Sequence, residues 1–160
     1  MYYPHQIGMT KVDATKQNLL SINPEAKIRV EPKGYTNQSL NGIVILCLDS
    51  IELRKKIIEQ NQYNLNVKLL IDTRIGLEEG QIYTIIPEIK TYQKLIGTMN
   101  FKDNETDSPT NTCGTALAIL PTIQMTASIA TMNIIKFIKN EKIQFMTILD
   151  SLKGISQSYS

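Results

Sequence analysis

Two kinds of residue in this chain sit where they could do chemistry: a carboxylate at the end of an apolar strand and two cysteines far apart. The carboxylate is Asp49, in the stretch GIVILCLDSIELR from Gly42 to Arg54, where an apolar run stops on an acid and a charged helix begins at once. Open α/β folds place their ligands outside the carboxyl ends of their strands, so Asp49 is the first site candidate. Cys47 lies inside the apolar run and is expected in the core, whereas Cys113 follows a polar loop at the start of a helix, where a thiol is acidified. Cys113 reads equally as a nucleophile and as a small residue at a helix start. The lone His5 supplies neither a metal cluster nor a Ser/His/Asp arrangement.

The elements that must position these residues follow from periodicity and breakers. Thr10 is suited to cap a helix from Lys11 to about Ser21 that ends at Asn23-Pro24, with Val12, Ala14, Leu19 and Ile22 on its buried side. A strand is expected over residues 26–30. The run from Ile43 to Leu48 shows no alternation, as expected of a strand covered on both faces. Ser50 then caps a helix with Leu53, Ile57 and Ile58 inward and Arg54 outward. Strands are expected from Val67 to Ile71 and from Gly80 to Ile86, with helical turns from Tyr92 to Ile96. A polar, mobile crossover loop is expected at about 100–112, then a long helix from about Gly114 to Asn140, bent or restarted at Pro121. Lys142 to Leu149 is a candidate last strand and the tail at about 153–160 is expected to fray. Strand, helix, strand with short connections calls for a parallel right-handed crossover, hence an α/β fold with a mainly parallel sheet.

Composition narrows the function classes. At 160 residues with 42% hydrophobic content the chain fits one core-forming domain, 1–160, and a net charge of +2 with scattered Lys and Arg gives no nucleic-acid surface. The cysteine spacing is neither a zinc pattern nor a disulfide framework and fits a reducing, cytoplasmic setting. From Ser108 to Ile135 no residue is charged, but interspersed Thr, Ser, Gln and Asn and the break at Pro121 favour a buried core helix over a membrane span.

Four stretches in this order resemble the adenylating enzymes of the ThiF/MoeB/HesA family, which includes the ubiquitin-activating enzymes. They are QIGMTK with LLSINPEAKIRV, ILCLDSIELR, LLIDTRIGLEEGQIYTIIP, and a cysteine after a polar loop followed by the helix CGTALAILPTIQMTASIATMNIIKFI. The resemblance implies a Rossmann-like three-layer fold and ATP-dependent activation of the C-terminus of a ubiquitin-like protein, sulfur-carrier protein or peptide as an acyl-adenylate. Matched position by position, Lys11 corresponds to a lysine on the nucleotide phosphates and Asp49 to the aspartate that works with Mg²⁺ and ATP. Arg54 corresponds to an architectural arginine. Arg74 matches an arginine after the next strand, with nucleotide contact and core salt bridge both open, and Cys113 matches a loop cysteine that accepts the acyl group in some members.

The chain departs from the family pattern in two places. Ser50 stands where the family has Asn, and the opening strand, G-x-G-x-x-G loop and ribose-binding acid have no counterpart. The chain therefore corresponds to the C-terminal portion of an adenylation domain, N-terminally truncated, and a monomer is expected to bind ATP poorly. A homo-oligomer or a partner chain would supply the other half. The expected alternative to an adenylyltransferase is a non-catalytic remnant or binding subunit that keeps the partner-protein surface; a generic dinucleotide-binding module lacks its fingerprint loop.

Overall fold

The computed structural model describes residues 3–102 and 118–160. The chain divides into two compact units, Met1–Gln38 and Ser39–Ser160.

In the first unit a 3₁₀ turn at Pro4–Gln6 precedes helix α1, Lys11–Ile22. Thr10 caps α1 by accepting from the Asp13 backbone N–H at 3.2 Å, which satisfies one of the donors a helix start leaves open. The buried Gln6 ties the turn to the helix, its Nε2 donating to Gln17 Oε1 at 2.9 Å and Asn18 Oδ1 at 2.7 Å. Of the four apolar residues expected inward on α1, Ala14 is buried while Leu19 and Ile22 are exposed. Residues 26–30 form no strand: Ala26, Ile28 and Val30 alternate with exposed Lys27 and Arg29, but among the described residues no strand pairs with them.

The second unit is built on a five-stranded sheet in sequential order: β1 Gly42–Leu46, β2 Val67–Ile75, β3 Glu79–Ile85, β4 Met146–Asp150 and β5 Ile155–Tyr159. Strands β1 and β2 are parallel, joined through helix α2, Ile51–Asn61, which is the crossover expected from the sequence. The other three pairs are antiparallel, so the sheet is mixed where a mainly parallel one was expected. The reason is local. Between β2 and β3 the chain has room only for a tight turn, closed by the Gly76 N–H donating to the Glu79 carbonyl at 2.8 Å, and a parallel return needs a far longer connection.

Register divides the sheet into two faces. Leu69 and Ile71 of β2, Ile82 of β3 and Leu149 of β4 form a core with Ala130 of helix α4, Leu120–Ile138, flanked by Met125, Ile129 and Phe137. Pro121 falls in the first turn of α4, where its missing N–H costs nothing. Within that interface Asn133 Nδ2 donates to Thr84 Oγ1 at 2.8 Å. On the opposite face Val44, Leu46, Leu70 and Asp72 lie towards α2 and helix α3, Ile89–Gly97, which buries Tyr92 and Leu95. Helix, sheet and helix pair make three layers, a Rossmann-like α/β arrangement.

Strand β1 lies at the edge of the sheet, and α4 does not reach it. Ile43 and Ile45, in register with Leu69 and Ile71, are therefore 38% and 46% exposed. Cys47, expected in the core, is exposed too, with Thr73 Oγ1 at 3.5 Å from its Sγ. At the other edge residues 155–159, expected to fray, pair along β4, and Thr147 Oγ1 meets Ser158 Oγ at 2.9 Å. Among the described residues no helix is long and apolar enough to cross a membrane.

Candidate functional site at the carboxyl end of the first strand

Asp49 lies in the bend between the end of β1 and the start of α2, exposed to solvent. Ser50 follows as the cap of α2, accepting from the Leu53 N–H at 3.2 Å. Among the described residues the Asp49 carboxylate takes part in no ion pair or side-chain hydrogen bond, so both oxygens are available to a cation. The described residues hold no group of three or more His, Cys, Asp or Glu placed to bind a metal.

Directly beneath this bend is a buried charged cluster. Arg54 occupies the inward stripe of α2 with Ile51, Ile57, Ile58 and Asn61, so it is buried and not outward-facing as expected. Steps of three and four link these residues, 51 to 54 to 57 or 58 to 61, which is the spacing of a helix face turned to a core. Arg54 Nη1 pairs with Asp72 Oδ1 and Nη2 donates to the Leu48 carbonyl; Nη1 also lies 3.4 Å from the Leu46 carbonyl. The other Asp72 oxygen accepts from Arg74 Nε at 2.8 Å. Arg74 Nη1 donates to the Thr98 carbonyl at 3.0 Å and Nη2 to Thr98 Oγ1 at 2.8 Å, and its guanidinium lies 4.3 Å over the Tyr83 ring. A single wholly buried carboxylate thereby holds two arginines from two elements.

Of the residues singled out in the sequence, Asp49, Arg54 and Arg74 fall in the second unit. Between the two readings left open for Arg74, the structure gives it a salt bridge, with every guanidinium nitrogen engaged inside the fold. Lys11 opens α1 in the first unit, exposed and with no side-chain partner among the described residues. Cys113 lies outside the described residues. Sequence reasoning missed Asp72. Its signal was an acid inside the buried run LLIDTRI, two residues before an arginine and so on the same strand face.

The three-layer α/β body carries an acid just beyond the carboxyl end of its parallel strand β1. The chain belongs to the ThiF family, whose model matches residues 1–159. Among solved structures it is similar to the one titled "Crystal Structure of SeMet PaaA", with a TM-score of 0.64 at 15% identity over 99% of this chain and 57% of that one. The chain thus spans little more than half the length of that structure. No curated protein matches it.

Proposed function

We propose that this chain is an adenylyltransferase-like member of the ThiF family that serves in ATP-dependent activation of a protein or peptide C-terminus. The acyl partner would be a ubiquitin-like protein, a small sulfur-carrier protein or a peptide. In this reading Asp49 binds Mg²⁺ through ATP, and Arg54 builds the bend that presents Asp49. Cys113 is the candidate acceptor of the activated acyl group. The observation that carries the reading is the Asp49 carboxylate, exposed and, among the described residues, free of ion pairs at the carboxyl end of the strand that leads into α2. A carboxylate left unpaired beside a helix start, where backbone N–H groups already favour anionic ligands, is suited to a metal–phosphate pair.

The eight glycines include no G-x-G-x-x-G loop, which leaves the phosphates without a backbone cradle within this sequence. The proposed activity therefore needs that cradle to come from outside this sequence, whether from further residues of the same polypeptide or from a partner chain. The same observation favours a second reading, a binding subunit that holds the carrier protein without adenylating it.

ATP:pyrophosphate exchange separates the two. Exchange by the wild type with its partner present, and its loss by about a hundredfold or more in Asp49→Asn, supports the first reading, since removing one electrostatic contact at a reacting phosphate costs on that order. Equal exchange in both proteins removes Asp49 from the site. Carrier binding with no exchange under any pairing favours the binding subunit.

A further inference from the structure

The geometry points to Asp72 as a positioning residue that fixes two separate chain segments at once: the bend carrying Asp49 and the end of α3. The inference rests on the proposed reading for its catalytic meaning, but its physical content is independent of it. Asp72 is wholly buried in the middle of β2 and has two carboxylate oxygens, each committed to a different arginine. Through Arg54 it reaches the carbonyls of Leu46 and Leu48, the last residue of β1 and the residue just before Asp49. Through Arg74 it reaches the carbonyl and hydroxyl of Thr98, immediately after α3.

Neither carbonyl set could orient an arginine alone. A guanidinium has five N–H donors in a rigid plane and no acceptor, so its plane is set where it pairs with an anion, and here one carboxylate pairs with both planes. With Arg54 fixed, the carbonyls at the end of β1 are held in place and the chain leaves the strand in one direction, towards Ser50 and the cap of α2. Asp49 lies in that span, and among the described residues its side chain makes no ion pair or hydrogen bond of its own. With Arg74 fixed, and braced by the Tyr83 ring, Thr98 is held against β2. Asp72 is therefore the hub through which the β1–α2 bend and the α3 terminus share one reference point on the sheet.

Amide hydrogen exchange on the ligand-free full chain tests this, with three variants. Asp72→Asn should speed exchange in the segments 47–54 and 95–99 by about tenfold or more, the scale of one lost charged hydrogen bond, while the β3–β4 ladder keeps its protection. Arg54→Lys should release 47–54 alone, and Arg74→Lys should release 95–99 alone. Equal loss of protection throughout the sheet, or release of both segments by either lysine variant, overturns the hub and leaves only a generally stabilising ion cluster. Should Asp72→Asn fail to fold, the two lysine variants still decide by their segment pattern. In pyrophosphate exchange, Arg54→Lys should raise the KM for Mg-ATP and Arg74→Lys should not; a reversed order also overturns the assignment. A wild type that gives no exchange counts against the nucleotide reading and leaves the amide pattern to judge Asp72.

Discussion

Arg54 and Asp72, eighteen residues apart in the chain, meet inside the fold with side chains 5% and 0% exposed. Each has lost its water, and each keeps its charge tolerable only through the other and through the groups around the pair. Truncation is thus asymmetric. Arg54→Ala should lower unfolding stability by about 3–5 kcal/mol in urea titrations, because it strands a buried carboxylate with one partner. A triple replacement, Arg54→Met with Asp72→Leu and Arg74→Met, should recover much of that loss while destroying the order of the Asp49 bend. A triple variant as unstable as Arg54→Ala would mean that apolar packing cannot substitute for the cluster.

Gly80 opens the second prediction. A Cβ there would fall 2.6 Å from Thr126 Oγ1 and 3.1 Å from Leu149 Cγ, so α4 and β4 both press on the β3 backbone at this point. Gly80→Ala should cost about 1–3 kcal/mol through overpacking, read as a shift in the denaturation midpoint. Adding Thr126→Ala should recover part of it, since the threonine hydroxyl is buried without a partner and its removal relieves the shorter contact. Full recovery would show that Leu149 had simply moved aside.

Ser50 is the residue at which the chain differs from the resembled pattern, and its role in the structure is that of a helix cap. Both serine and asparagine accept from an N–H in the first turn. Ser50→Asn should therefore leave stability within a few tenths of a kcal/mol, while Ser50→Ala should cost about 1 kcal/mol. Thermal unfolding of the three proteins checks this, and a clear loss with asparagine would point to a constraint on the bend beyond capping.

The turn between β4 and β5 should be sensitive to pH at both extremes. Hydrogen bonds from the Lys153 side chain, at 2.6 Å, and backbone hold the Asp150 carboxyl below its ordinary 3.8, and the same pairing holds the lysine above 10.5. A lowered acid contributes stability that is complete above its ordinary value and fades as pH falls through the shifted one. A raised base contributes stability that is complete below its ordinary value and fades as pH rises through its own. Amide exchange in β5 should thus show its lowest opening rate from about pH 5 to 9, after correction for intrinsic exchange, with Asp150→Asn flattening the acid side. An unchanged acid limb in that variant would remove the pair as the cause.

Much of this site was legible because its signals are local. The strand before Asp49, the serine cap and the helix after it are read from an apolar run, a hydroxyl and a three-and-four spacing, each confined to a few residues. Even the burial of Arg54 was available from that spacing, since it shares a stripe with Ile51, Ile57 and Ile58. The Asp72 hub was not legible, because nothing in IDTR says which distant arginine will arrive on its other oxygen. The ends of the sheet failed for a related reason. Ile43, Ile45 and Cys47 look like core until the sheet is assembled and α4 is found to stop short of them, and ISQSY looks like a tail until β4 offers it a ladder. The stretch 26–30 is the converse, a strand pattern that no ladder among the described residues takes up.

The sequential order β1 to β5 bears on how fast the second unit can assemble. Three of its four pairings join neighbours across short spans: β1 and β2 across one helix, β2 and β3 across a tight turn, and β4 and β5 across a turn in which Gly154 takes a φ of +64°. Only the pairing of β3 with β4 must close the long interval from Ile85 to Met146, and α4 lies within that interval. Hairpins of this kind form in about 1–10 μs, whereas long-range pairing carries the loop-closure entropy and sets the pace. Refolding should accordingly be governed by contacts of α4 and β4 against β3, so that substitutions at Asn133 or Leu149 slow folding while those in β5 mainly hasten unfolding.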